Sequence, residues 1–318
     1  MSLRRGLVLG GGGVLGAAWM IGALGALEEA YGWDTRTADV LVGTSAGAVL
    51  AALLGRDVRV GTLVNYQRGT PAPDDPQVGY DVDSSSGGAL PPRPKLGIGS
   101  RALLARTAVR PRRYPPLAAL AALAPHGRAS LAPIGELIEA AAPGTAWTTD
   151  TAVWIITMDY DRGRRVAFGR SGAPAARMPE AVMASCAIPG WYAPVQIGGR
   201  SYVDGGVCSP TSLDLVAGGG LDEVVVLAPM ASFDYDSPAS VVGRLERRFR
   251  RAMTRRVLRE ADKVRRAGTT VTILAPGAED LTAIGVNLMD PSRRQAVFET
   301  SSRTSARVLS RGATRLAG

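Results

Sequence analysis

The chain has 318 residues, 46% of them hydrophobic, which is enough to build the core of one large domain. Its two cysteines and single histidine argue against a disulfide framework, a cysteine-based zinc site and a histidine-rich metal site. His126 lies in an Ala/Pro-rich stretch without a motif, so we interpret it as a loop residue. We therefore expect no metal, a reducing cytoplasmic location and a single domain over residues 1–318.

The N-terminus resembles a signal peptide, because residues 6–27 carry no charge and follow two arginines. Eight of these 22 residues are glycine, however, and four are consecutive, which is unsuitable for a spanning helix. We expect neither a signal peptide nor a transmembrane helix here. A short strand at Leu7–Leu9, a glycine loop and a helix at Ala17–Tyr31 fit the pattern better.

Apolar strands and helices then alternate along the chain. A strand is predicted at Val40–Val42 and a helix at Ala48–Leu54. The later predicted elements are strands at Val153–Met158, Arg165–Phe168, Val224–Ala228 and Val271–Leu274, and a helix at Pro179–Cys186. This alternation predicts an α/β fold, a three-layer α/β/α sandwich with a mostly parallel central sheet.

Two regions depart from this alternation. Residues 56–133 contain Pro/Gly/Ser-rich turns with short helical patches, which predicts an irregular insertion into a core of about residues 6–230. The insertion could form a lid over a binding site or a variable surface segment. Residues 238–318 are predicted to form a helical C-terminal part.

The first glycine motif follows the first strand. Residues 11–16 satisfy the G-x-G-x-x-G pattern through Gly11, Gly13 and Gly16, so a nucleotide-dependent oxidoreductase has to be considered. That fold expects an acidic residue at the end of the second strand, whereas Asp34 and Asp39 both precede that strand. The oxidoreductase is therefore the weaker hypothesis, and no cofactor is expected.

A second motif occupies the end of the second strand. Gly43, Ser45 and Gly47 form a G-x-S-x-G pentapeptide between a predicted strand and a predicted helix, which is typical of a nucleophile held on a sharp turn. Acyl transfer places negative charge on a carbonyl oxygen, and the N–H groups of Gly11, Gly12 and Gly13 could stabilise it as an oxyanion hole. Together the two motifs favour a serine hydrolase.

The base for Ser45 has to be a carboxylate, because no histidine motif is present. Asp204 precedes Gly205 and Gly206 and follows a short apolar strand at Tyr202–Val203. An isolated D-G-G sequence usually marks a turn, so its assignment depends on the wider pattern.

The four motifs together resemble the patatin-like phospholipases, which carry G-G-G-x-[RK]-G, G-x-S-x-G, A-S-x-A-x-P and D-G-[GA] in this order. The corresponding residues are 11–16, 43–47, 184–189 and 204–206. The resemblance implies a Ser45–Asp204 dyad that forms an acyl-enzyme with a lipid or other acyl ester, as in a lipase, lysophospholipase or esterase. Leu15 replaces the usual Arg or Lys, so a cation near the substrate is missing. A non-catalytic lipid-binding protein on the same fold is the main alternative.

The net charge of +9 is concentrated in one segment. Arg244–Arg266 contains ten arginines and one lysine against three acidic residues, a net of +8. Apolar residues recur at helical spacing, which predicts an amphipathic helix over Val241–Arg266. Its predicted apolar stripe consists of Val241, Leu245, Phe249, Ala252, Val257, Ala261 and Val264. It could contact an anionic membrane peripherally or pack on the core through its apolar stripe. The lack of interleaved aromatic residues argues against nucleic acid.

Overall fold

The computed structural model describes residues 3–72, 90, 92–148 and 151–316. Its central feature is one sheet of eight strands in the order β5-β6-β3-β2-β1-β7-β8, with β4 paired to β3. The strands are β1 (Arg5–Leu9), β2 (Val40–Thr44), β3 (Ala152–Asp159), β4 (Arg164–Phe168), β5 (Val195–Ile197), β6 (Arg200–Asp204), β7 (Glu223–Leu227) and β8 (Thr270–Leu274). The five strands from β3 to β8 in this order pair in parallel, and β4, β5 and β6 pair antiparallel.

Helices cover both faces of this sheet. They are α1 (Gly13–Tyr31), α2 (Ala46–Gly55), α3 (Val60–Arg68), α4 (Arg101–Val109), α5 (Pro116–Leu123), α6 (Ala132–Ala141), α7 (Met178–Cys186), α8 (Val241–Arg266), α9 (Ala278–Ile284) and α10 (Arg294–Leu316). One apolar cluster packs α1, α2, α3, α6 and α7 against the sheet, and a second packs α8 against its other face. The expected three-layer α/β fold is therefore confirmed.

The parallel strands are buried on both faces, which explains their continuous apolar sequences. In β1, Leu7 and Leu9 contribute to one apolar cluster, and Val8 contributes to the other. All three side chains are fully buried. A strand that alternates its side chains between two helical layers needs apolar residues at every position.

The register on β3 brings β2 and β6 end to end. Thr44 at the end of β2 pairs with Ile156, and Asp204 at the end of β6 pairs with the next residue, Thr157. β4 pairs with the same stretch of β3, so it occupies the other edge of that strand. The residues that follow β2 and β6 therefore meet at one point of the sheet.

The C-terminal helix α10 packs closely against α1. A Cβ on Gly22 would lie 2.8 Å from the carbonyl oxygen of Phe298, so the two helices approach at backbone distance. The Ser301 hydroxyl donates to the Trp19 carbonyl at 2.6 Å. This contact places the chain segment before α10 beside the glycine loop.

The predicted insertion is more ordered at its start than expected. α3 lies inside residues 56–133, and its Val60 and Leu63 belong to the main core cluster. α4 and α5 pack on β3 and β6 through a smaller cluster that includes Leu103 and Met158. Much of the predicted turn-rich stretch at residues 70–94 falls outside the described residues.

The arginine-rich helix α8 has the predicted bounds, but the apolar stripe is wrong in its N-terminal half. Val241 and Leu245 are 71% and 66% exposed, whereas Arg250 is fully buried. The Arg250 guanidinium pairs with Glu246 at 2.9 Å and donates to the Pro229 carbonyl. Further along, Val257, Ala261 and Val264 pack on the core as predicted.

Candidate active site

Ser45 stands on a sharp turn between β2 and α2. Its φ of 53° lies in the left-handed region, which is rare for a residue other than glycine, and its side chain is 6% exposed. The turn is possible because the backbone approaches closely on either side. A Cβ on Gly43 would lie 2.4 Å from the Gly47 carbonyl oxygen, and one on Gly47 would lie 2.1 Å from the Leu9 carbonyl oxygen. The N-terminus of α2 consequently points its positive dipole end at Ser45.

Asp204 reaches Ser45 from the end of β6. The Asp204 carboxylate accepts a hydrogen bond from the Gly206 N–H at 2.7 Å, and it lies close enough to Ser45 for that residue to lower its pKa. A Cβ on Gly205 would lie 2.5 Å from the Ile156 carbonyl oxygen, so the turn after Asp204 fits against β3 only with glycine. The structure thus brings together the two residues that the sequence singled out.

Burial raises the pKa of Asp204 from 3.8 to about 6. The hydrogen bond from the Gly206 N–H and the nearby Ser45 act in the opposite direction, since they favour the charged carboxylate. A carboxylate with this pKa is a better proton acceptor than an exposed aspartate and is still largely ionised at neutral pH.

Ser185 holds the turn that carries Ser45. The Ser45 N–H donates to the Ser185 hydroxyl at 2.9 Å, and that hydroxyl donates to the Ile156 carbonyl at 2.6 Å. The Ser185 side chain is fully buried. The sequence motif around Ser185 does not indicate this function, because the bridge between α7, the turn and β3 forms only in the folded chain.

The glycine loop lies beside Ser45, with one correction to the predicted donors. A Cβ on Gly11 would be 3.4 Å from the Ser45 Cβ, but the Gly11 N–H already donates to the Pro210 carbonyl at 2.8 Å. Gly11 is therefore wrong as an oxyanion donor in this arrangement. Within the described chain, the N–H groups of Gly12 and Gly13 have no acceptor, and Gly13 has a φ of 61° as α1 begins.

Ser45 lines a cavity of about 200 Å³. Its walls come from α1, α2, α3 and α6, and most of its lining side chains are apolar: Val14, Ala17, Ile21, Val49, Leu50, Leu53, Val58, Leu63, Ile134, Leu137, Ile188 and Met289. A cavity of this composition suits a hydrocarbon chain better than a polar ligand. The Cys186 thiol also lines it, and burial raises the pKa of this thiol, which keeps it protonated.

The segment before α10 completes the cavity. Met289 and Arg294 are part of its lining, and the Leu288 carbonyl accepts a hydrogen bond from the Leu15 N–H at 3.0 Å. Leu15 itself is fully buried in the apolar core, so it is not exposed to the cavity. Arg294 is thus the charged residue of the lining, and it comes from a part of the chain where no motif marked it.

The remaining sequence features lie elsewhere. The His126 Nε2–H donates a hydrogen bond to the Gly99 carbonyl at 3.1 Å, and His126 does not line the cavity. Gly16 packs in α1 against Pro229, 3.4 Å from an added Cβ. In the described ranges, no group of three His, Cys, Asp or Glu side chains could hold a metal ion. No helix of those ranges has the length and apolar character needed to span a membrane.

Comparison with known proteins identifies a family and two similar solved structures. The family profile described as patatin-like phospholipase matches residues 7–217. Among solved structures, VipD from Legionella pneumophila aligns with a TM-score of 0.46 and 13% identity, over 97% of this chain and 67% of VipD. The type III effector protein ExoU aligns with a TM-score of 0.39 and 19% identity, over 97% of this chain and 53% of ExoU. No curated protein matches the sequence.

Proposed function

Because the chain belongs to the patatin-like phospholipase family, we propose that it is a lipid acyl hydrolase with Ser45 as nucleophile and Asp204 as general base. The observation that carries the proposal is the position of Ser45 on the wall of an apolar cavity, beside Asp204, where β2 and β6 end at adjacent residues of β3. The cavity would hold the acyl chain and leave the ester carbonyl near the Ser45 hydroxyl.

In the proposed reaction, Asp204 accepts the Ser45 hydroxyl proton while the Ser45 oxygen bonds to the ester carbonyl carbon. The carbonyl π electrons move to its oxygen, where the N–H groups of Gly12 and Gly13 stabilise the charge. The oxyanion then collapses and breaks the bond to the leaving alkoxide, which takes the proton from Asp204. Water repeats the sequence on the acyl-enzyme, so the products are a free fatty acid and the alcohol.

The oxyanion donors are preorganised by the fold. Gly13 begins α1 and Ala46 begins α2, so two helix N-termini converge on the region beside Ser45. Ala46 follows the nucleophile and lines the cavity, which makes its N–H a further donor that the glycine pattern did not indicate.

The head group is expected to carry a negative charge near Arg294. This residue begins α10, where the helix dipole disfavours a cation, and it has no acidic partner in the described chain. A phosphate or carboxylate of the substrate would offset both effects. Arg294 would thereby supply the cation that Leu15 cannot provide.

We also propose that the outer face of α8 rests on an anionic bilayer. This face combines the exposed Val241, Val242, Leu245 and Phe249 with Arg244 and Arg248, which have no acidic partner in the described ranges. Exposed apolar side chains flanked by arginines match the acyl boundary and the anionic head groups of a membrane surface. A lipid substrate would be reached from that surface.

The hydrolase proposal is tested by fluorophosphonate labelling and by hydrolysis of short and long p-nitrophenyl esters. We expect labelling of the wild type and of Ser171→Ala, an exposed serine, and none of Ser45→Ala. Asp204→Asn should abolish turnover. A folded wild type that neither labels nor cleaves any ester would replace the hydrolase with a non-catalytic lipid-binding protein.

The membrane proposal is tested by co-sedimentation with vesicles. We expect wild type to bind vesicles with anionic lipid more than neutral ones, and Leu245→Asp/Phe249→Asp to lose this binding. Val308→Asp changes an apolar side chain that is 54% exposed on α10, and it should bind as wild type. Equal binding of all variants, or no preference for anionic lipid, would contradict the proposal.

A further inference from the structure

Five arginines and one tyrosine line a second cavity of about 180 Å³, formed by Arg106, Arg110, Arg113, Tyr114, Arg162 and Arg164. This arginine cavity shares no lining residue with the apolar cavity beside Ser45. Its ligand would therefore be recognised independently of the hydrolase reaction.

Regular local structure builds the first wall of the arginine cavity. Arg106 and Arg110 are one helical turn apart at the end of α4, so they lie on the same side of that helix. A 3-10 turn at Pro111–Arg113 follows directly, and the Arg113 N–H donates to the Arg110 carbonyl at 3.0 Å. The positions of these three residues are thus fixed by backbone hydrogen bonds.

The opposite wall is the turn between β3 and β4. Arg162 and Arg164 flank Gly163, whose φ of 62° permits the tight reversal. The Tyr114 ring packs on this turn, since a Cβ on Gly163 would lie 2.8 Å from the Tyr114 Cε1. The two walls are therefore held together by packing, and the tyrosine separates their arginines.

Few acidic groups balance this charge. Arg162 is 3.8 Å from Asp159, a carboxylate that is equally far from Arg200. Asp161, in the same turn, accepts a hydrogen bond from the Ser100 hydroxyl at 2.8 Å. Within the described ranges, the other four arginines of the cavity have no acidic partner.

From this arrangement we propose that the arginine cavity binds a ligand with two or more clustered phosphates. Like charges in a concave site repel, and an anion removes that repulsion. Guanidinium groups bind phosphate through paired hydrogen bonds, and a single phosphate could engage only some of the five. The clustered phosphates can belong to a lipid head group or to a soluble polyphosphate.

The test compares two double variants that lose the same charge. Arg110→Gln/Arg113→Gln removes two guanidiniums from the cavity, whereas Arg101→Gln/Arg112→Gln removes two exposed neighbours that do not line it. Calorimetry with inorganic tripolyphosphate and with orthophosphate measures the soluble source. Vesicles with and without a bisphosphorylated inositol lipid measure the membrane source. Circular dichroism confirms that each variant is folded.

We expect the wild type to bind tripolyphosphate or the bisphosphorylated vesicles, and to bind orthophosphate about tenfold or more weakly. The cavity variant should lose about tenfold or more in affinity, and the neighbouring variant much less. Binding of tripolyphosphate alone identifies a soluble ligand, and binding of the vesicles alone identifies a lipid head group. Equal losses in both variants, or no wild-type binding to either source, would overturn the proposal. Ser45→Ala should bind as wild type, so the result is independent of hydrolysis.

Discussion

Replacing Asp204 by asparagine is expected to stabilise the protein at neutral and alkaline pH while removing hydrolysis. The folded protein favours the neutral carboxyl, because burial raises its pKa from 3.8 to about 6. The stability that the protonated group contributes is fully present below a pH of about 3.8 and is lost as the pH rises through about 6. That loss is on the order of 3 kcal/mol, at about 1.36 kcal/mol for each pKa unit. With its side chain 6% exposed, Asp204 is little screened by solvent.

Asparagine cannot ionise, and its side-chain oxygen can still accept the Gly206 N–H. Urea unfolding of both proteins across the pH range measures the difference in free energy of unfolding. We expect Asp204→Asn to be more stable by up to about 3 kcal/mol at about pH 8, and the difference to close near pH 4. A difference independent of pH, or a wild type that is more stable at about pH 8, would refute the assigned effect of burial.

The role proposed for this carboxylate also predicts the pH dependence of activity. A general base has to be ionised, so wild-type kcat/KM for a soluble ester should rise about tenfold between about pH 5 and pH 7 if Asp204 has that role. An aspartate of ordinary pKa would give a nearly flat profile there. Ser45→Ala serves as control for stability, since it is expected to be inactive yet to keep the ionisable carboxylate. Because Ser45 lowers the pKa of Asp204, this variant should lose at least as much stability with rising pH as the wild type.

Three further changes test the surroundings of the site. Ser185→Ala leaves the Ser45 N–H without its acceptor, so we expect kcat to fall with little change in KM and stability to drop by about 1–3 kcal/mol; an unchanged kcat would contradict the positioning function. Arg294→Gln should raise KM for an anionic lysophospholipid more than KM for a neutral ester. Arg311→Gln, an exposed change on the same helix, should alter neither KM value. Equal effects of Arg294→Gln on both substrates would exclude contact with the head group. Gly47→Ala should lower the free energy of unfolding by about 4 kcal/mol or more, or prevent folding, because its Cβ would lie 2.1 Å from a backbone oxygen of β1. Gly61→Ala, on the open face of α3, should instead raise the free energy of unfolding by about 1 kcal/mol. Thermal or urea unfolding measures both, and a stable Gly47→Ala would contradict the close approach to β1.

The periodicity of the sequence identified the strands and helices whose burial is evident from their own residues. Continuous apolar runs mark β1 and β2 because both faces of these strands are buried, and the following glycines mark the turns. The starts of α1 and α2 were predicted too late, at residues 17 and 48 rather than 13 and 46. Glycine has low helix propensity, and Gly13, Gly16 and Gly47 in these first turns therefore resemble loop residues in the sequence.

Periodicity failed where a side chain is satisfied by partners outside its own helix. In α8, burial of Arg247 and Arg250 depends on Asp236, Glu246 and the Pro229 carbonyl. Two of these groups, Asp236 and the Pro229 carbonyl, lie in the segment before the helix, so the hydropathy pattern of the helix contains no information about them. The same burial turns Val241 and Leu245 outward, which is the reverse of what their apolar character predicted.

The sequence by itself determined the α/β class, the family resemblance and the choice of Ser45 and Asp204 as candidates, because a nucleophile turn and an Asp-Gly-Gly turn are local structures with local residue requirements. The tertiary structure decided that these two residues meet, since β2 and β6 end at adjacent positions of β3. It also decided which glycine N–H groups remain available and that Met289 and Arg294 complete the cavity. Such contacts join residues far apart in the chain, and their formation depends on strand register and helix packing rather than on local sequence.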